Sequence, residues 1–216
     1  MKKRLMTGLL LAGALLPLLQ GCFPAIAAGV AGGAMAAIDR RSLGTQAEDE
    51  TIEWKASARI SEKFGDKVHL NFTSFNRKVL LTGEVSSAEI KAEVERQVSD
   101  IANVQGVYNE IALAAITSFS ARSNDAYITS KVKGRFIDVG NFNPLRVKVV
   151  TEAGAVYLMG LLNQSEADSA VLVARTTAGV LKVVKVMEII SDAKARELDN
   201  ESPNKAEQND AKARHN

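Results

Sequence analysis

Val79-Leu80-Leu81-Thr82-Gly83 and Val156-Tyr157-Leu158-Met159-Gly160 are one pattern written twice, 77 residues apart. Each is a short apolar run closed by glycine, which reads as a buried β-strand. Downstream, Gly106-Val107 answers to Gly179-Val180 at an offset of 73. The four residues lost between the copies equal about one helical turn, so the intervening helix is expected to be one turn shorter in the second copy with its buried face unrotated. Two copies make a tandem pair of domains, not a solenoid.

Around each strand the same order recurs: helix, strand, strand, helix, strand. In the first copy Ile52, Ala56, Ile60 and Phe64 recur every four residues and form one apolar helical stripe. Val68, Leu70 and Phe72 alternate with His69, Asn71 and Thr73, a half-buried strand with His69 on its polar side. Asn76-Arg77 makes the turn into the Val79 strand. Ser86 or Ser87 caps a helix buried through Ile90, Val94, Val98 and Ile101, and Val107 to Leu113 closes the unit. The second copy repeats this with Ile128, Val132 and Phe136, then Leu145, Val147 and Val149, then Ala155 to Gly160. Its second helix begins near Asn163 with Glu166 in the first turn, and its last strand runs from Val180 to about Ile190. The expected fold class is α+β: two αββαβ modules, each a three-stranded mixed sheet with two helices on one face and the other face polar or paired.

The first module is placed at residues 46–114 and the second at 120–191, between atypical ends. Met1-Lys2-Lys3-Arg4 followed by the apolar run Leu5 to Leu19 is an export signal, interrupted by Gly13 and Pro17. It ends Leu19-Gln20-Gly21-Cys22, which resembles a lipobox. That likeness implies cleavage after residue 21 and acylation of Cys22. Cys22 is the only cysteine, so no intramolecular disulfide forms, and an acyl anchor gives an exported lone cysteine a use. Where such lipoproteins carry aspartate after the cysteine they stay in the inner membrane; Phe23 at that position favours the outer membrane, with inner-membrane retention and surface exposure as the alternatives. Residues 22–45 are the anchor and an Ala/Gly-rich linker. Residues 192–216 hold almost no large apolar side chain and include Pro203, so they are expected to be disordered.

The net charge of +2 is too balanced for a nucleic-acid binder. It is unevenly spread, with eight Lys/Arg against twelve Asp/Glu from Gln46 to Leu113, and nine against six from Arg122 to Ile190. The second module is therefore the better match for an anionic partner. No metalloprotease helix, cysteine pair, serine elbow or phosphate loop is present, and the two histidines, His69 and His215, are expected in solvent. The reading is a non-enzymatic protein without cofactor or metal.

The αββαβ order, the glycines after the second strand (Gly83, Gly160) and before the last (Gly106, Gly179) resemble the BON domain. Behind a lipobox, with Asp39-Arg40-Arg41, Val107-Tyr108-Asn109-Glu110-Ile111 and Ser123-Asn124-Asp125, the pair resembles the division- and outer-membrane-stress-associated lipid-binding lipoproteins of Gram-negative bacteria. The resemblance runs from Cys22 to Ile190. It implies a periplasm-facing outer-membrane lipoprotein that binds anionic phospholipid through its second module, supports envelope integrity and collects at division sites. It also implies that the first helix of that module touches the membrane, at a position where the family has tryptophan and this chain has Tyr127. With Ile128, Val132 and Phe136 inward, a 100° step per residue turns Tyr127, Ser130, Gly134 and Ile137 outward, flanked by Lys131 and Lys133. An outward ring and Ile137 between lysines suits an anionic bilayer surface. The alternative is a scaffold lipoprotein docking onto envelope assembly or division proteins.

Overall fold

A computed structural model of the chain describes residues 39–201. The export signal and Cys22 lie outside the described residues, as does everything after Glu201. The first module contains α1 (Leu43–Phe64), β1 (His69–Phe75), β2 (Lys78–Val85), α2 (Ala88–Ser99), β3 (Gly106–Asn109) and β4 (Ala112–Leu113). The second contains α3 (Phe119–Val139), β5 (Lys148–Glu152), β6 (Ala155–Met159), β7 (Leu161–Leu162), α4 (Gln164–Arg175), β8 (Lys182–Lys185) and β9 (Glu188–Ile189). A last helix, α5 (Asp192–Glu201), follows.

In each module the first two strands form an antiparallel hairpin and the last strand joins the second in parallel. The closing strand is interrupted once in each case, giving β4 beside β2 and β9 beside β7. The expected mixed three-stranded sheets are therefore present, with two helices on one face of each. Ile52, Ala56 and Ile60 of α1 pack with Val94 and Val98 of α2 on Val79, Leu81 and Val85. Ile128, Val132 and Phe136 of α3 pack with Ala167, Ala170 and Val173 on Val149, Val156 and Leu158. Phe136 and Phe142 meet edge to face, with centroids 5.1 Å apart.

The repeat is more regular than the glycine match implies, and that part of the sequence reading is corrected. α2 and α4 are both twelve residues long, so no helical turn is lost. Val107 pairs with Val79 and Val183 with Val156, so the counterpart of Val107 is Val183, 76 residues on. Gly179 corresponds to Asn103, also 76 residues away, and both hold positive φ, +97° and +71°. Asparagine tolerates the left-handed region better than other non-glycine residues, so the equivalence is conformational and invisible to letter matching.

The same device holds both hairpins. Asp49, buried in α1, accepts hydrogen bonds from Asn76 N (2.8 Å), Arg77 N (2.7 Å) and Ser74 Oγ (2.6 Å). Asp125 of α3 accepts from Ala153 N and Gly154 N, both at 2.9 Å. Both turns place their two central residues at positive φ, the conformation whose twist matches paired strands. Two N–H groups then point at one carboxylate.

The faces of the sheets turned away from the helices meet each other. Phe75 and Leu80 of the first pack on Tyr157, Met159 and Val186 of the second. This explains why the β2 and β6 runs are apolar without alternation: both of their faces are covered. Asn71 to Glu152 (2.9 Å), Asn76 to Glu188 (2.8 Å) and Lys148 to Glu53 (2.8 Å) cross the same boundary. His69, expected in solvent, lies partly buried between the sheets, because the polar side of β1 faces the second module.

The segment from Asp192 is also corrected. Residues 192–201 form α5, with Ala195 buried. Arg40, whose side chain is 3% exposed, reaches Glu166 (2.6 Å) and Asp199 (2.9 Å), and Arg146 reaches both as well (2.9 Å each). Burial pushes the Glu166 carboxyl up, but the bonds from Arg40, the Asn163 N–H and Arg146 outweigh it and hold the group below its ordinary range. Low apolar content does not leave this helix loose, because it docks largely through ion pairs from Arg40 and Arg146 to Asp199.

Candidate functional site

Helix α3 begins at Ser118, whose hydroxyl accepts from Ala121 N, and ends at Gly140 in the left-handed conformation. Its inward stripe is Asp125, Ile128, Val132 and Phe136. That leaves Tyr127 (62% exposed) and Ile137 (69%) on the solvent side, with Ser130, Lys133 and Gly134 also exposed. Gly134 has open space where a side chain would stand.

Lys131 differs from its neighbours. Its ammonium donates to the Ala178 carbonyl and sits 4.6 Å from the centre of the Tyr127 ring. The lysine therefore fixes the ring by a cation–π contact and ties the helix to the loop before β8. Gly179 in that loop lies against Ile128 and the Lys131 ammonium. Two residues on, Leu181 is 82% exposed and packs on the Gly154 turn that Asp125 holds. Leu181 was not singled out by sequence reasoning. Its only signal is an apolar residue of the wrong parity beside Val180 in a strand-edge segment. Together, Tyr127, Leu181 and Ile137 give apolar projections, and Lys131 and Lys133 give cations on or beside the same helix.

The equivalent helix of the first module is built otherwise. Aligning Asp49 with Asp125 puts Thr51 and Ser61 where α3 has Tyr127 and Ile137. Helix α1 carries five acidic against three basic residues, while α3 carries four basic against two acidic. One of those two is Asp125, buried and spent on turn N–H groups. α1 does expose Trp54, the only tryptophan, opposite its own buried stripe, and sequence reasoning missed it too. Among the described residues no helix is long and apolar enough to cross a membrane.

The BON domain matches the chain twice, over residues 48–115 and 124–191. The chain belongs to the BON domain family. As a tandem BON protein it is 35% identical, over 80% of its length, to the outer membrane lipoprotein DolP of Haemophilus influenzae, of which 90% is covered. It is 32% identical, over 71% of its length, to a 21 kDa hemolysin of Actinobacillus pleuropneumoniae, of which 80% is covered. Among solved structures, CdsD of the type III secretion system of Chlamydia trachomatis aligns at 14% identity with a TM-score of 0.28, over 69% of this chain and 98% of that one. That score is too low to bear on the fold.

Proposed function

We propose that this tandem BON protein is a lipid-anchored, periplasm-facing outer-membrane protein. Its second module docks on anionic phospholipid through the outward face of α3, and it supports envelope integrity, including at division sites. The likeness to an outer membrane lipoprotein supports the location. The observation that carries the lipid reading is the exposed Tyr127 ring held by Lys131, with Ile137 exposed further along the same helix and Leu181 exposed on the loop that Lys131 ties to it. A docking sheet face is not on offer in its place, because both sheets are covered by helices on one side and by each other on the second.

The test is flotation of the unlipidated chain beginning at residue 23 with vesicles of anionic or neutral phospholipid. Inserting about 60 Å² of ring at about 25 cal/mol/Å² is worth about 1.5 kcal/mol, so Tyr127→Ala should weaken anionic binding roughly tenfold. Lys133→Glu exchanges an attraction of about 1 kcal/mol for a similar repulsion, roughly thirtyfold. Added salt should weaken wild-type binding. If both variants float like wild type, the lipid face is lost. The scaffold reading then takes its place, with Trp54 on α1 as the exposed anchor for a protein partner.

A further inference from the structure

His69 of β1, Glu84 of β2 and Glu152 of β5 each turn a ligand atom to one point between the modules, and those atoms all lie within 4.8 Å of one another. Glu84 is 2% exposed and Glu152 8%. His69 Nδ1 lies 3.0 Å from Glu84 Oε2, which also accepts from Thr117 N (3.3 Å) and Thr117 Oγ1 (3.4 Å). Glu152 Oε2 accepts from Asn71 Nδ2 at 2.9 Å. Beside the cluster is an open groove of about 510 Å³, lined by Asn71, Arg122, Asp125 and Thr129 among others.

Two buried carboxylates facing one imidazole are short of positive charge. At most one positive charge from His69 meets two negative ones, and Arg122, at the groove, makes no ion pair with either glutamate. Buried charges need partners or must neutralise. Burial, and the Glu84 charge with it, pushes the Glu152 carboxyl above its ordinary range. Imidazole nitrogen and carboxylate oxygen are both zinc donors, with bonds of about 2.0–2.2 Å, and three protein ligands with an open fourth position make a tetrahedral site. Two such ligands on a tetrahedral ion stand about 3.4 Å apart, close to the 3.0 Å already present between His69 and Glu84. The groove leaves a fourth position to water or an incoming donor.

We infer that His69, Glu84 and Glu152 form a site for a divalent transition-metal ion of the zinc class, which clasps the first module to the second. The ion takes the place of the proton in the His69 Nδ1–Glu84 bond: from an imidazolium that proton leaves to solvent, and in a neutral ring the N–H stands at Nε2 instead. Two ligands come from the first module and one from the second, so the ion couples metal binding to the packing of the sheets. No single stretch of sequence holds the set: Glu84 is 15 residues from His69 and Glu152 is 83 from it.

The test is calorimetric titration of zinc chloride into the tag-free, metal-stripped full-length lipoprotein in detergent micelles. One ion per chain should bind at micromolar concentration or tighter, with a rise in melting temperature. Glu152→Gln and His69→Gln should each weaken it at least thirtyfold, while His215→Asn leaves it unchanged. Circular dichroism of the metal-free variants separates loss of the site from loss of fold. Should either variant misfold, Glu84→Gln supplies the same comparison. Failure to bind one ion per chain at about 10 µM zinc or below would overturn the inference and leave a cluster that holds only a proton, and binding that survives all three substitutions would overturn it as well.

Discussion

Replacing Arg40 with methionine tests how the ends of the described chain are held. The guanidinium makes five hydrogen bonds: two to Glu166, two to Asp199 and one to the Leu161 carbonyl. Removing one partner of a buried ion pair costs about 3–5 kcal/mol when the other is left alone. Here Arg146 still reaches both carboxylates, at 2.9 Å each, so that part falls to about 2 kcal/mol. The Leu161 carbonyl loses its side-chain donor, adding about 1 kcal/mol. The sum of about 3 kcal/mol should lower the melting temperature by roughly 6–12 °C in a chain of this size. Denaturant unfolding of Arg40→Met, Asp199→Asn and the double variant should give a coupling of at least about 1 kcal/mol. Truncation after Ser191 should lose a comparable share of stability, since it removes Asp199 and the buried Ala195. A cost below about 1 kcal/mol for Arg40→Met, with no coupling to Asp199, would refute the clamp and return residues 192–201 to the status of a loose tail.

Gly83→Ala should abolish soluble folding or cost more than about 3 kcal/mol. Its Cβ would stand 2.0 Å from the His69 carbonyl oxygen at a φ of +112°, and near-normal stability in thermal melts would contradict that geometry. Asp125→Ala should cost about 3 kcal/mol, because two turn N–H groups lose a charged acceptor. Hydrogen exchange should quicken at Ala153 and Gly154 before it does in β8. Unchanged protection at those two amides would rule out the shared hairpin device.

The helical stripes, the strand runs and the duplication were legible in the sequence because each is periodic and local. Ile128, Val132 and Phe136 fix which way α3 turns, and therefore put Tyr127 and Ile137 outside before any coordinate is known. Tertiary structure alone decided the rest. The doubly covered β2 and β6 looked like ordinary buried strands until the two sheets were found back to back. Letter matching paired Gly179 with Gly106, whereas backbone conformation pairs it with Asn103. Lys131 reads as a free cation in one dimension, but in three it is bound to Ala178 and to the ring beside it. α5 was missed because low apolar content predicts disorder only when no buried arginine waits to receive its aspartate. Periodicity reports how a segment folds against its own neighbours. Which distant charge, turn or sheet face it meets depends on contacts between residues such as Arg40 and Asp199, 159 positions apart, to which no local pattern is sensitive.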